Sequence, residues 1–114
     1  ERQQMKAQIC YNIEYDVLFS RNPTCKQEID EMVLLMTEAA TSKRSTIHLD
    51  KQGIPQPMVK ERLLSLQCEH IEYVLECMKN STAKIHNIRA YLLTALYHAP
   101  ETIHHYYAAQ MRAD

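Results

Sequence analysis

Residues 68–99 read CEHIEYVLEC MKNSTAKIHN IRAYLLTALY HA, and this stretch decides the fold. Two apolar patterns of helical period lie in it, one on each side of a polar joint. Ile71, Val74, Leu75 and Met78 fall at i, i+3, i+4 and i+7, and Ile85, Ile88, Leu92, Ala95 and Leu96 keep helical spacing too. Tyr73, Tyr91 and Tyr97 add aromatic area beside the stripes. The spacing predicts two amphipathic helices paired at the core of a helical domain, with the other segments packed around them.

Outward toward the N-terminus, residues 2–20 carry Met5, Ile9 and Ile13 on one helical face, widened by Cys10, Val17 and Leu18. Tyr11 and Tyr15, and Tyr15 and Phe19, stand i, i+4 apart and are expected to stack along that helix. Pro23 ends it, because the residue before a proline avoids the α region. Thr24 with Gln27 three residues on reads as a capping box for a second helix. Ile29, Met32, Val33 and Met36 give that helix its apolar face, to about Thr41. Thr46-Ile47-His48-Leu49 alternates with period two, and Asp50-Lys51-Gln52-Gly53 offers a type I turn with glycine at the left-handed position. A small β-hairpin around residues 46–56 follows, limited by Pro55 and Pro57. Pro57 opens a third helix with Met58, Val59, Leu63 and Leu64, and a fourth runs from about Cys68 to Lys79. A fifth begins at Lys84, or at Asn87 as cap, and ends near Tyr97. Pro100 opens a sixth, with Ile103, Tyr106, Tyr107 and Met111 as its packing face. The expected fold is mostly α: a compact bundle of about six helices with one small hairpin, forming a single domain over residues 1–114.

Composition agrees with this class. The chain has 114 residues, 46% apolar and 24% charged, enough for a core of its own. A single glycine argues against a turn-rich β fold and against a phosphate-cradling loop. No apolar run nears the roughly 18 residues of a membrane span, so no membrane partner is expected. The chain starts at Glu1 within a polar helical pattern, and the expectation is a fragment of a longer protein. Cys10, Cys25, Cys68 and Cys77 form no C-x-x-C pair and read as buried or half-buried thiols in a reducing, cytoplasmic setting.

Chemistry is sparse in the sequence. Six histidines include the neighbours His104 and His105, which point about 100° apart on a helix; none stands in H-E-x-x-H spacing. Glu69, Glu72 and Glu76 line one helix face, best read as a hydrated face with Lys79 at i+3 of Glu76. There is no G-x-S-x-G, no P-loop and no nucleophile–base pair, so the expectation is no catalysis, no metal and no cofactor. Charge is uneven. Residues 1–42 hold four Lys/Arg and seven Asp/Glu, giving −3; residues 43–89 hold eight and five, giving +3. The mildly basic middle is a solvated surface or a local patch for phosphate or an acidic partner. Tyr91, Tyr97, Tyr106 and Tyr107 are core and core-rim residues or, near Lys84, Arg89 and Arg112, an aromatic platform for bases or a protein.

Several runs resemble a known family. His70-Ile71-Glu72-Tyr73-Val74-Leu75 and the run Asn87-Ile88-Arg89-Ala90-Tyr91-Leu92-Leu93-Thr94-Ala95-Leu96-Tyr97-His98-Ala99-Pro100 are similar to the C-terminal domain of replication initiator protein A (RepA) family proteins. These belong to plasmids and conjugative elements of Gram-positive bacteria. Ile13-Glu14-Tyr15-Asp16, Ile29-Asp30-Glu31-Met32-Val33, Ser45-Thr46-Ile47, Thr102-Ile103 and Tyr106-Tyr107 add to the likeness in the family's order. His98 stands where the family has Asn. The Asn87–Leu96 run also resembles the DnaD signature helix, with Tyr91 at its tyrosine, although this chain has no tryptophan for the later signature position. The resemblance implies a DnaD-like helical module of an initiator whose separate N-terminal winged-helix domain contacts origin DNA. Its implied partners are host replication proteins, a primase or helicase loader, or further copies of itself. The binding residues are expected around Lys79, Lys84, Arg89 and Tyr91. Two other roles fit the same sequence: a single-stranded DNA-binding domain, which needs exposed tyrosines, and a pure oligomerisation module, which needs an exposed apolar patch.

Overall fold

The structure, a computed structural model, describes residues 1–81 and 85–113. Among these residues six α-helices and one hairpin follow in order: α1 (Arg2–Asn12), α2 (Tyr15–Arg21), a 3₁₀ turn (Pro23–Cys25), α3 (Lys26–Ala40), β1 (Thr46–Leu49), β2 (Gln52–Pro55), α4 (Gln56–Leu64), α5 (Cys68–Asn80) and α6 (Ile88–Ala113). The mostly α bundle with a small hairpin is therefore the fold, although the six helices divide the chain differently from the sequence reading.

The pair α5 and α6 does pack together, but the centre of the bundle is α3, which touches α1, α4 and α6. Its four expected core residues are all buried, and Leu35, Thr37, Ala39 and Ala40 are buried with them. The buried Thr37 hydroxyl is satisfied by donating to Val33 O at 2.7 Å. No Thr24 cap forms. The turn Pro23–Cys25 leads into α3, and Cys25 takes the cap position without a side-chain hydrogen bond.

The expected helix over residues 2–20 breaks at Ile13–Glu14. Glu14 adopts φ 55° and ψ 60°, a left-handed conformation that costs a non-glycine residue about 1–2 kcal/mol. The turn redirects the chain so that Ile13 and Leu18, 1% and 0% exposed, both enter the core. Burying two such side chains stabilises by roughly 1.5–3 kcal/mol each, which outweighs the strain. Asn12 donates to Leu64 O at 3.0 Å and holds the break against the end of α4. Tyr11 and Tyr15 thus belong to different helices and do not stack: Tyr11 is 80% exposed, and the Tyr15 hydroxyl donates to Asp30 of α3. Lys26 and Tyr15, both bonded to Asp30, hold its carboxyl below the usual carboxylate range.

The hairpin pairs Leu49 with Gln52 across a two-residue turn. Asp50 and Lys51, at φ 50° and 69°, supply the positive φ values that a type I′ turn requires, so glycine does not occupy the left-handed positions. Gly53 instead lies within β2, where it is required for space: a Cβ there meets Thr46 Cγ2 at 2.9 Å. Gln56 then ties hairpin, α3 and α4 together. Its N–H donates to Ser45 O, and its side-chain amide donates to Ala39 O and Ala40 O at 3.1 and 3.0 Å.

At α5 a capping box forms that the sequence reading did not anticipate. Gln67 N–H donates to His70 Nδ1 at 2.9 Å, while the Gln67 side chain takes the backbone N–H of His70. Farther on, Pro100 does not start a sixth helix. It lies inside one continuous α6. A proline there removes an N–H and crowds the preceding turn. Other groups cover the carbonyls around it: Arg62 Nη1 donates to Tyr97 O at 3.0 Å, and Thr102 Oγ1 donates to His98 O at 3.2 Å. Arg62 also lies 4.5 Å from the centre of the Tyr97 ring and pairs with Glu101.

Two outcomes follow from these local geometries. Lys51→Gly relieves a side chain at positive φ and should stabilise by about 1 kcal/mol, a rise in Tm of roughly 4 °C; an unchanged Tm would contradict the turn. Burial holds the His70 imidazole below the usual histidine range, opposed by the neighbouring Glu69 carboxylate. Folded His70 therefore binds a proton less readily than the unfolded chain. Stability should fall as pH drops below about 6.5 and level off below the folded pKa. In thermal melts across this window, His70→Gln, which keeps an acceptor at the third helical position, should have a shallower slope than the parent.

Candidate functional site

The start of α6 is set by its own residues. Asn87 Oδ1 accepts from Ala90 N–H at 3.1 Å, the cap expected from the sequence. Arg89, one residue into the helix, reaches across to α3, where Nη1 donates to Glu31 and Nη2 donates to Glu38 at 2.6 Å. Its charge is thus engaged by two carboxylates. Such exposed pairs are each worth at most about 1 kcal/mol, but together they orient the beginning of α6 on α3.

Tyr91 faces the other way. It is half-buried in an open cleft of about 480 Å³ between α5 and α6, lined chiefly by Tyr73, Val74, Cys77, Tyr91 and Ala95. Burial pushes the Tyr91 phenol above the usual tyrosine range, with the Cys77 thiol adding to the shift. Asp50 of the hairpin turn and His98 of α6 also line the cleft. Its wall is fixed by Tyr73, whose hydroxyl donates to Thr102 Oγ1 at 2.9 Å and whose ring meets Tyr106 edge-on at 5.2 Å. The cleft can take apolar or aromatic side chains of a partner.

The four residues expected to form a binding surface do not share one place. Tyr91 lines the cleft; Lys79 and Arg89 do not. Lys79 is exposed at the end of α5 and borders a smaller cleft of about 280 Å³ with Glu72, Glu76, Tyr106 and Tyr107. Lys84 lies outside the described residues. The tyrosines resolve mainly as core and core rim: Tyr97 is 5% and Tyr73 is 8% exposed, Tyr91 and Tyr106 are half-buried, and Tyr107 is 47% exposed. Ile88, read from the sequence as part of the apolar stripe, is 41% exposed. The cleft itself escaped the sequence reading, which had no means of bringing the hairpin turn to α6. Helical spacing of Tyr73 and Cys77 on one face was the available signal.

Glu72 serves structure rather than a bare hydrated face. It accepts from Arg21 and Asn22, each at 2.9 Å, and so joins α2 to α5. Glu76 takes Asn80 rather than Lys79. The four cysteines are free thiols, Cys25 and Cys68 buried and Cys10 and Cys77 half-buried, as expected. Among the described residues no group of three or more His, Cys, Asp or Glu is placed to hold a metal ion. No helix among them is long and apolar enough to cross a membrane.

The model of a family of unknown function, DUF6017, matches residues 1–114. No curated protein matches, and no solved structure matches.

The two tyrosines of the run at 91–97 should separate on substitution. Tyr97→Ala, in the core, should lower stability by about 3–5 kcal/mol. Tyr91→Ala, at an open cleft, should lower it by about 1 kcal/mol or less. Denaturant titration of both variants checks this, and equal losses would place Tyr91 in the core.

Proposed function

The chain belongs to this DUF6017 family, and we propose that it is a non-catalytic module of a plasmid-type DNA replication initiator. In this reading it works in the cytoplasm and recruits a host primase or helicase-loading protein to the origin. The reading begins from the resemblance of the Asn87–Pro100 run and its companions to the replication initiator protein A family. Within that run Leu92, Leu96, Tyr97 and Ala99 are buried, so most of the shared pattern concerns the fold. Tyr91 is the aromatic of the run that borders open space.

One observation carries the recruitment role: an open, largely apolar cleft between two helices with a half-buried tyrosine in its lining. Clefts of this kind accept the apolar face of a partner helix, and aromatic anchors supply much of the binding energy. The basic residues once grouped with Tyr91 have a smaller part here, because Arg89 is engaged by Glu31 and Glu38. A stacking platform for single-stranded bases has less support, since Tyr97 is buried and Tyr91 is half-buried. Oligomerisation finds its support at the end of α6, where Tyr107 and Met111, 47% and 78% exposed, stand i, i+4 apart.

Surface-immobilised primase and helicase loader from a Gram-positive host, titrated with this chain, test the proposal. One of them should bind, and Tyr91→Ala should weaken binding at least tenfold, about 1.4 kcal/mol. Loss of recruitment is the reading to abandon if neither protein binds or if Tyr91→Ala binds as well as the parent. Light scattering of Met111→Glu beside the parent assigns any self-association to the α6 end.

A further inference from the structure

A second face of the molecule collects cations without partners. Lys43 and Arg44 lie in the connection from α3 to β1, and Lys60 lies in α4. All three are exposed, and among the described residues none has an ionic partner. Lys43 and Lys60 line the same open cleft of about 640 Å³, together with Thr41 and Ser42. Ser42 Oγ accepts from the Arg44 N–H at 3.2 Å, which holds the turn that places Arg44 beside Lys43.

The anionic groups of this cleft are already occupied. Glu38 faces Arg89 at 2.6 Å and Arg2 at 3.8 Å. The Glu1 carboxylate accepts from Gln3 and Gln4 N–H at the start of α1. Even the carbonyl end of α3, which ordinarily attracts cations, has its Ala39 and Ala40 oxygens taken by the Gln56 amide. Lys43 and Lys60 therefore face one cleft, with Arg44 next to Lys43 in the chain, and the Glu38 carboxylate beside them is engaged by Arg89 and Arg2. Lysine, arginine and hydroxyl side chains make up the donor set that positions proteins on a phosphodiester backbone. No aromatic side chain lines this cleft, so it offers neither base stacking nor the aromatic anchor of a protein interface.

We propose that Lys43, Arg44 and Lys60 form a sequence-independent contact surface for the phosphate backbone of duplex nucleic acid. The proposal goes beyond recruitment and does not rest on it, because Tyr91 lines a different cleft.

The test is fluorescence anisotropy of a labelled short DNA duplex, the matching single strand, and a polyglutamate peptide, each titrated with the chain at low salt and then at rising salt. The duplex should bind with a log–log salt slope of about −2.7 for three neutralised phosphates. The single strand should bind more weakly and polyglutamate not at all. The triple variant Lys43→Gln, Arg44→Gln, Lys60→Gln should lose at least tenfold in duplex affinity, while Lys79→Gln leaves it unchanged. Lys60→Gln alone, far in sequence from the end of α3, should reduce the slope by about 0.9 and keep the parent Tm. The proposal is overturned if no duplex binds at low salt, if the triple variant binds like the parent, or if polyglutamate or the single strand binds better than the duplex.

Discussion

Helix α3 must be covered on most of its circumference. Eight of its fifteen residues are buried, and they include both neighbours on the helical wheel and residues well apart on it. A helix of that kind cannot be stable alone, since short isolated helices are marginal in water. Its apolar surface is what α1, α4 and α6 bury when they close around it. The remaining architecture serves this closure. The left-handed Glu14 turns the chain so that two more side chains reach the core, and Gln56 seals the carbonyl end of α3 while starting α4. Arg89 anchors the first turn of α6 to the solvent side of the same helix.

Much of this was legible in the residues. The apolar spacing of Ile29, Met32, Val33 and Met36 located α3, and that of Ile71, Val74 and Leu75 located α5, because a buried stripe leaves its period in the sequence whatever covers it. The alternation from Thr46 to Leu49 located the hairpin for the same reason. What could not be read locally depends on distant partners. Nothing in Ile13-Glu14 marks a break, since neither residue is glycine or proline; the break exists because burial elsewhere compensates it. Pro100 is a stop signal in isolation, yet the helix continues where Arg62 and Thr102 supply donors to its loosened turn.

The site shows the same division. Tyr91 could be singled out by its place in the Asn87–Leu96 run, but the role of Arg89 could not. An arginine in a basic stretch looks free until the fold brings Glu31 and Glu38 to it, residues more than fifty positions away. Formal charge along a sequence is thus a poor guide to available charge on a surface. Beside these internal pairs lie two different regions: an apolar cleft bordered by Asp50 and His98, and a polar cleft bordered by the exposed Lys43 and Lys60. The two clefts have no lining residue in common.

The crowding at Gly53 bears on how such a sequence drifts over generations. Its missing side chain makes room for the γ-methyl of Thr46 on the facing strand. Positions 46 and 53 are therefore one steric unit divided between two codons. Serine or alanine at 46 would open the space that a side chain at 53 requires, whereas valine, which keeps both γ branches, would leave it filled. Among relatives of this chain, the two positions should co-vary, with the bulk gained on one strand lost from the other.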